Sequence, residues 1–293
     1  MPARLQSLAA AFVLAASAPL LAQEASPAQP PAPAPAVALP DAREILLKGV
    51  DAVGGKDALL KVKSIEMTGT VEMPDLGIKG KVVARTAVPN MMFTTMDLGP
   101  AGEFRTGFDG KVGWATDKIQ GARLLEGKEL ATIAREADFL KDAEPLKRWD
   151  SYETKSEAKF AGFECWKLEV KKGDDKAVLW YEKSTHLPRG LEMVIETQMG
   201  KIPMTTAFVE YKDFNGVKFP VRSEAKQAGQ KIVTVYESIV LDRVDAAVFA
   251  LPKEIQALLE PEPAEDADEE AESVQKPTDK VDGTAVPAPA PKP

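Results

Sequence analysis

The sequence predicts a mainly β protein of the α+β class, built on one large curled antiparallel sheet. Three observations favour this class. From residue 64 onward, apolar and polar residues alternate in short segments, with turn residues about every 8–12 positions. Only two longer stretches have helical periodicity, one before the series and one near its middle. Successive hairpins, without a helix after each strand, indicate an antiparallel sheet and not a parallel α/β fold.

The first residues have the pattern of a cleavable export signal. Arg4 supplies a positive charge, residues 8–21 are almost wholly apolar, and Ala22 is a small residue that suits signal-peptidase cleavage. This apolar run is shorter than the ~20 residues that a membrane-spanning helix needs. We therefore predict a signal peptide over residues 1–22 and an exported protein of the bacterial periplasm. We expect it not to span a membrane and, with no cysteine near the cleavage point, to lack a lipid anchor.

Low-complexity segments flank the predicted domain. Residues 23–40 are rich in Pro and Ala, which predicts a disordered, extended linker. Residues 260–293 are acidic and then again Pro/Ala-rich, which predicts a disordered tail. The second segment holds ten acidic residues and three lysines, so it carries −7 of the chain's net charge of −8. The predicted domain, residues 41–259, is therefore nearly neutral. This argues against nucleic acid as a partner, because phosphate binding needs clustered Lys and Arg.

The predicted domain begins with an amphipathic helix. Asp41 suits the N-cap position, and Glu44 follows at the spacing of a capping box. Gly54-Gly55 ends the helix, because glycine accepts the left-handed conformation there, and a short helical turn over residues 56–62 follows. The apolar face of the first helix consists of Ala42, Ile45, Leu46, Gly49, Val50 and Val53.

Alternation then predicts two groups of strands with a second helix between them. Asp109-Gly110 and Asn215-Gly216 are strong hairpin signals. The helix, over residues 127–141, has one apolar stripe that should pack onto the sheet. The first group covers 64–72, 78–88, 91–98, 102–108 and 111–117; the second covers 155–161, 164–171, 176–183, 190–198, 203–212, 216–225 and 230–241.

Reactive side chains are scarce, and this argues against an enzyme. The chain contains one histidine, His186, which falls in an apparent turn, and one cysteine, Cys165. A Ser-His-Asp triad or a zinc site would need more of these groups, and no GxSxG motif is present. Paired carboxylates acting as acid and base remain the one catalytic alternative. We expect no catalysis, no metal and no cofactor.

Several segments, taken in order, resemble the LolA-like superfamily of outer-membrane lipoprotein-sorting proteins and their exported relatives. After the opening helix, these segments are SIEMTGTV (64–71), FDGKVGW (108–114), WYEKSTHLPRGL (180–191), YKDFNGVKFP (211–220) and DAAVFALP (245–252). The resemblance covers about residues 41–252. It implies an unclosed half-barrel with helices packed on or in its concave side, an apolar cavity between them, and the carrying or sensing of acyl chains or lipoproteins. The chain differs from the compact carriers in its greater length and its acidic tail.

Methionine and aromatic side chains supply the predicted ligand-binding residues, since flexible, polarisable methionine suits a cavity for varied apolar ligands. The predicted lining is Met67, Met92, Met96, Phe104, Trp114, Phe139, Trp166, Trp180, Met193 and Met204. An ordinary packed core is the alternative for each of them. The predicted function is that of a monomeric, non-catalytic carrier for an acyl chain, a lipoprotein or another apolar ligand. The alternative is an envelope interaction or stress-sensing module with a protein partner.

Overall fold

The computed structural model describes residues 38–139, 141–197 and 200–260. The predicted signal peptide, residues 23–37 of the linker and the tail from residue 261 lie outside these ranges. The helices are α1 (Ala42–Ala52), α2 (Lys56–Lys61), α3 (Gly127–Ala137), α4 (Pro145–Arg148) and α5 (Lys253–Ala257). The strands are β1 (Ser64–Met73), β2 (Ile78–Ala87), β3 (Met91–Asp97), β4 (Glu103–Phe108), β5 (Gly113–Asp117), β6 (Gly121–Leu125), β7 (Ser151–Phe160), β8 (Phe163–Lys172), β9 (Asp175–Glu182), β10 (Pro188–Thr197), β11 (Gly200–Phe214), β12 (Val217–Gln227) and β13 (Gln230–Leu241).

The described strands form one antiparallel sheet of 13 strands, in the order β6-β5-β4-β3-β2-β1-β13-β12-β11-β10-β9-β8-β7. Two meanders meet where β1 pairs with β13, and the connection from β6 to β7, which contains α3 and α4, runs from one edge of the sheet to the other. The two edge strands do not pair with each other, so the sheet is not closed into a barrel. The predicted fold class is confirmed.

Two adjacent residues of α3 show that this sheet is strongly curved. The carboxylate of Glu129 lies 2.8 Å from the guanidinium of Arg123 in β6, while the ammonium of Lys128 lies 2.6 Å from Glu196 in β10. These strands stand nine positions apart in the sheet order, a separation of about 43 Å if the sheet were flat. The sheet therefore wraps around α3, and the face that carries α3 is the concave face.

The start of the domain follows the sequence closely. The Asp41 side chain accepts a hydrogen bond from the backbone N–H of Arg43 at 2.9 Å and caps α1, as predicted. Glu44 pairs with Lys48 one turn further on, at 2.7 Å. α1 ends at Ala52, just before the Gly54-Gly55 pair, whose φ angles are positive at 128° and 85°.

One strand and one helix end differ from the sequence prediction, and the short helices α4 and α5 were not predicted. β6 was not predicted, because GARLL is short and lacks alternation; it forms by pairing with β5, from Gly121 opposite Asp117 to Leu125 opposite Gly113. The second helix was predicted to reach residue 141 but ends at Ala137, since Asp138 has the non-helical ψ of 104°.

Apolar packing on the concave face is divided among three clusters in the described part of the chain. The first joins α1 to the sheet through Leu46, Leu168 and Tyr181. The second joins α3 to β4 and β6 through Ile133, Phe108 and Leu125. The third, around Val71, Val82 and Leu98, lies within β1, β2 and the turn after β3. The pairing registers of the strands show that the strand residues of all three clusters point to the same face of the sheet.

Candidate functional site

An apolar cavity of about 250 Å³ lies on the concave face, between the helices and the C-terminal half of the sheet. One wall consists of α1, α2 and residues 141–149, a segment that includes α4. The strands β9 to β12 form the other wall. The apolar lining includes Val50, Val53, Leu59, Leu179, Leu191, Phe208 and Phe219.

α1 approaches the sheet closely enough to enclose this cavity because of Gly49. A Cβ atom at that position would lie 2.3 Å from Cε1 of Tyr181, which is far too close for any side chain. The C-terminal end of α1 is fastened to β12, since the backbone N–H of Lys218 donates to the carbonyl of Val53 at 2.8 Å and its ammonium donates to the carbonyl of Ala52 at 3.2 Å. These bonds satisfy carbonyl groups that a helix end leaves free.

Tyr181 and Tyr211 bring two phenol groups to the cavity wall. The Tyr211 hydroxyl donates to the carbonyl of Pro188 at 2.6 Å. Tyr181 is only 8% exposed, and within the described ranges its hydroxyl has no hydrogen-bond partner. Burial raises the pKa of Tyr181 well above its usual value, Asp142 raises it further, and Arg148 acts in the opposite direction. Burial likewise raises the pKa of Tyr211, so both hydroxyls are neutral at physiological pH.

Charged side chains from the last turn of α3 and from the segment after it line one side of the cavity. A carboxylate oxygen of Glu136 accepts a hydrogen bond from Arg148 at 3.1 Å, and the other lies 3.2 Å from the ammonium of Lys141. Asp142 is 3.8 Å from Arg148, beyond hydrogen-bonding distance. Burial by itself raises the pKa of Glu136, but the positive charges of Lys141 and Arg148 outweigh it and hold the pKa below its usual value. Glu136 is thus ionised at neutral pH.

A further carboxylate, Glu144, joins α2 to α4 beside the cavity. It lies 2.7 Å from the ammonium of Lys56 and 2.8 Å from that of Lys147. Hydrogen bonds from Lys147 and then from Lys56 lower the pKa of Glu144 to about 2. At neutral pH the ionised carboxylate of Glu144 therefore links α2 and α4, the two short helices beside the cavity, through ion pairs.

Seven of the ten sequence-predicted residues lie on strands with their side chains on the concave face. The ladder registers place Met92 opposite Phe108, Met96 opposite Phe104, and Met193 opposite Met204. Met193 and Met204 border an open groove on β10 and β11 that shares no lining residue with the cavity. The seven are Met67, Met92, Met96, Phe104, Trp166, Met193 and Met204. Phe139 lies in the turn after α3 and is half-buried.

Trp114 and Trp180 lie on the convex face. Their neighbours Gly113 and Tyr181 face α3 and α1, and successive side chains of a strand point to opposite faces. Trp114 packs against Phe93 at 5.7 Å between ring centroids. The structure thus does not bring the ten residues together. None of them lines the 250 Å³ cavity, and their role in ligand binding stays a prediction.

The sequence contained partial signals for the residues that do line the cavity. Gly49, Val50 and Val53 belong to the apolar face predicted for the first helix. Tyr211 and Phe219 belong to the YKDFNGVKFP segment that carried part of the resemblance. What the sequence did not indicate is that residues 141–149, after the second helix, form the opposite rim of the same cavity.

Groups able to do covalent or metal chemistry are poorly placed in the described residues. Cys165 is fully buried, and burial raises the pKa of its thiol to about 11. No three of the described His, Cys, Asp and Glu side chains are grouped so as to hold a metal ion. None of the described helices is long and apolar enough to cross a membrane.

Comparisons with known proteins give structural likenesses only. Neither a scan of family models nor a search of curated proteins finds a match. Among solved structures, a DUF1329 family protein from Desulfovibrio piger has 12% identity and a TM-score of 0.48, over 72% of this chain and 98% of that one. A LolA superfamily protein from Nitrosomonas europaea has 15% identity and a TM-score of 0.47, over 73% and 99% of the two chains. A domain named for outer membrane lipoprotein sorting, from Vibrio parahaemolyticus, has 12% identity and a TM-score of 0.45, over 70% and 97%.

The names of the last two structures mention the LolA superfamily and lipoprotein sorting. At these identities and TM-scores, the likeness fixes neither the ligand nor the activity of this chain. Both must be inferred from its own cavity.

Proposed function

We propose that this chain is a non-catalytic binding or carrier protein that holds an acyl chain of a lipid or lipoprotein, or a similar apolar group. The cavity between α1 and the strands β9 to β12 is the observation that carries the proposal. Its volume is about 250 Å³, and aliphatic and aromatic side chains form most of its lining. Ligand sites in proteins are typically concave and apolar with a few polar groups, and this cavity has that character.

The packing of the concave face supports the same proposal. A domain of this size usually has one contiguous core, whereas the described apolar residues form three clusters. The cavity borders the first cluster, and a recess lined by Met193 and Arg135 extends from it toward α3. This division of the packing is consistent with space for an apolar ligand between the helices and the sheet.

The size of the cavity sets the scale of the expected affinity. At about 250 Å³ it is just below the ~300 Å³ at which ligand pockets usually begin, so it suits one chain and not several. Burying about ten methylene groups contributes about 8 kcal/mol. Ordering of the ligand offsets part of this, so we expect dissociation constants in the micromolar range or weaker.

The place of action that we propose is the bacterial periplasm, to which the N-terminal sequence would direct the chain. A carrier there meets lipids and lipoproteins that have to cross an aqueous space. A protected apolar cavity provides the means to hold such a chain, because it removes the chain from water.

Replacing Leu59 by tryptophan should weaken binding of the fluorescent fatty acid cis-parinaric acid by about tenfold or more. Leu59 lines the cavity from α2, and a larger ring there takes up space that the chain would otherwise fill. Losing contact with two methylene groups corresponds to about 1.6 kcal/mol. The measurement is a fluorescence titration of the full chain with this probe.

Leu76→Trp is the matched control, because Leu76 is 53% exposed in the turn between β1 and β2. It should bind the probe as the unmodified protein does. An unmodified protein that takes up no probe would contradict the carrier proposal and favour an interaction module that does not use the cavity. Equal loss in both variants would show that the probe binds elsewhere.

A further inference from the structure

The Tyr181 hydroxyl points to the kind of ligand that the cavity takes. Buried tyrosine hydroxyls normally have a hydrogen-bond partner, as Tyr211 does with the carbonyl of Pro188. As a residue Tyr181 is more than nine-tenths buried, but its hydroxyl oxygen is not fully enclosed and has no partner in the described part of the chain, so it is open to the cavity that Tyr181 lines. Phenylalanine would serve equally well for packing against Gly49. The hydroxyl is therefore a donor available to a bound molecule.

Arg148 provides a second set of donors on the same cavity wall. A guanidinium has five N–H groups, and Glu136 accepts from one of them, on Nη2. Asp142 stands 3.8 Å from Nη1, and its side chain is 69% exposed, so it holds the guanidinium only weakly. Arg148 also lies over the ring of Trp149, 5.0 Å from the centroid, which fixes its plane at the rim.

The balance of charge at the cavity favours an anion. The ionisable side chains lining it, apart from the tyrosines, are Lys141, Arg148, Lys218, Glu136 and Asp142. These give three positive charges against two negative ones. Glu136 is shared between Lys141 and Arg148, and Lys218 bonds only to a helix carbonyl among the partners described. A bound anion would balance this excess.

We propose that the cavity binds a single-chain amphiphile whose anionic oxygen head group, a carboxylate or a phosphate, accepts a hydrogen bond from Tyr181 and pairs with Arg148. The chain of the amphiphile occupies the apolar part of the cavity, so this inference rests on the proposed function. Planar guanidinium groups suit carboxylate and phosphate oxygens, and hydrogen bonds to an ionised acceptor are stronger than neutral ones.

The test compares ligands with the same ten-carbon chain and different heads. Decanoate, decyl phosphate and decanol are titrated at pH 8 against the full chain, by displacement of cis-parinaric acid. Decanoate or decyl phosphate should bind about tenfold more tightly than decanol, and the tighter of the two identifies the head group. Tyr181→Phe should reduce this preference about threefold or more and weaken decanol less than the anions, because a hydrogen bond to a neutral hydroxyl is weaker than one to an ionised oxygen.

Tyr236→Phe is the matched control, since Tyr236 packs against the third apolar cluster and does not line the cavity. It should leave the preference for anions intact. Tyr181→Phe should leave the melting temperature unchanged or raise it, because no bond is lost; a fall would indicate a structural role and count against the inference.

The outcomes separate the two proposals. Equal affinity for decanoate, decyl phosphate and decanol would overturn the head-group subsite and leave the apolar carrier standing. Failure of all three to displace the bound probe would overturn both. Displacement by inorganic phosphate alone, with no chain, would contradict an amphiphile as the ligand.

Discussion

Replacing Arg189 by methionine should lower the free energy of unfolding by about 3–5 kcal/mol. Arg189 and Glu182 form an ion pair between β9 and β10, with side chains only 9% and 12% exposed. Nε and Nη2 of the guanidinium donate to the same carboxylate oxygen at 2.9 and 2.7 Å. The guanidinium also lies 3.8 Å from the centroid of the Phe163 ring. Methionine preserves apolar contacts but leaves the buried carboxylate without its cation.

Arg222→Met is the matched control on β12. Arg222 pairs with Glu224 at 2.8 Å, but the two side chains are 37% and 30% exposed, and such pairs contribute about 1 kcal/mol or less. Urea denaturation of both variants measures the difference. Equal losses for the two variants would show that burial does not set the strength of the Arg189 pair.

The stability lost in the Arg189→Met variant should depend on pH. Burial acts to raise the pKa of Glu182, but hydrogen bonds from Thr185, Ser184 and Arg189, together with the charge of Arg189, hold it below its usual value. A lowered pKa stabilises the fold above the unfolded pKa, near 4.3, and this stabilisation is lost as the pH falls below it. Without Arg189, the carboxylate is more easily protonated. The loss caused by Arg189→Met should therefore be smaller at pH 4 than at pH 7.

Replacing Leu46 by alanine should lower the free energy of unfolding by about 2–5 kcal/mol. Leu46 is fully buried and joins α1 to Leu168 and Tyr181 on the concave face. Alanine removes apolar atoms and leaves a void, because the backbone of the sheet cannot collapse onto it. Since α1 forms one wall of the cavity, probe binding should weaken as well.

Leu47→Ala, at the next position of the same helix, is the control for this prediction. Leu47 is 44% exposed, so the change should alter the stability by about 0.5 kcal/mol or less. Both variants are measured by urea denaturation under identical conditions. Losses of similar size would contradict the packing of α1 against the sheet.

Local signals in the sequence were sufficient for most of the fold. Asp109-Gly110 and Asn215-Gly216 form turns in the structure: the Asp109 side chain accepts from the backbone N–H of Val112 at 2.7 Å, and Asn215 adopts a positive φ of 57°. Alternation located twelve of the thirteen strands, since a half-buried strand imposes a period of two. β6 was missed because its pairing with β5, and not its own sequence, makes it a strand.

The site was harder to predict, because alternation does not say which set of side chains faces the helices. Trp180 illustrates the difficulty: its convex-face position is covered by Phe160, stacked at 4.8 Å, and its indole N–H donates to Glu192 at 2.8 Å. Large aromatic residues can thus be buried on the convex face as well as on the concave face, so burial alone does not assign the face. The cavity also depends on bringing Gly49, Arg148 and Tyr211 together, and contacts so distant along the chain leave no local pattern.

The most direct test of the central claim is native mass spectrometry of the full chain, purified from its own cell envelope without detergent. If the cavity holds one acyl chain, each protein molecule should carry one lipid with a single acyl chain. Organic extraction should release this lipid, and added decanoate should replace it. Protein found at its bare mass, and unable to bind decanoate or cis-parinaric acid afterwards, would contradict it.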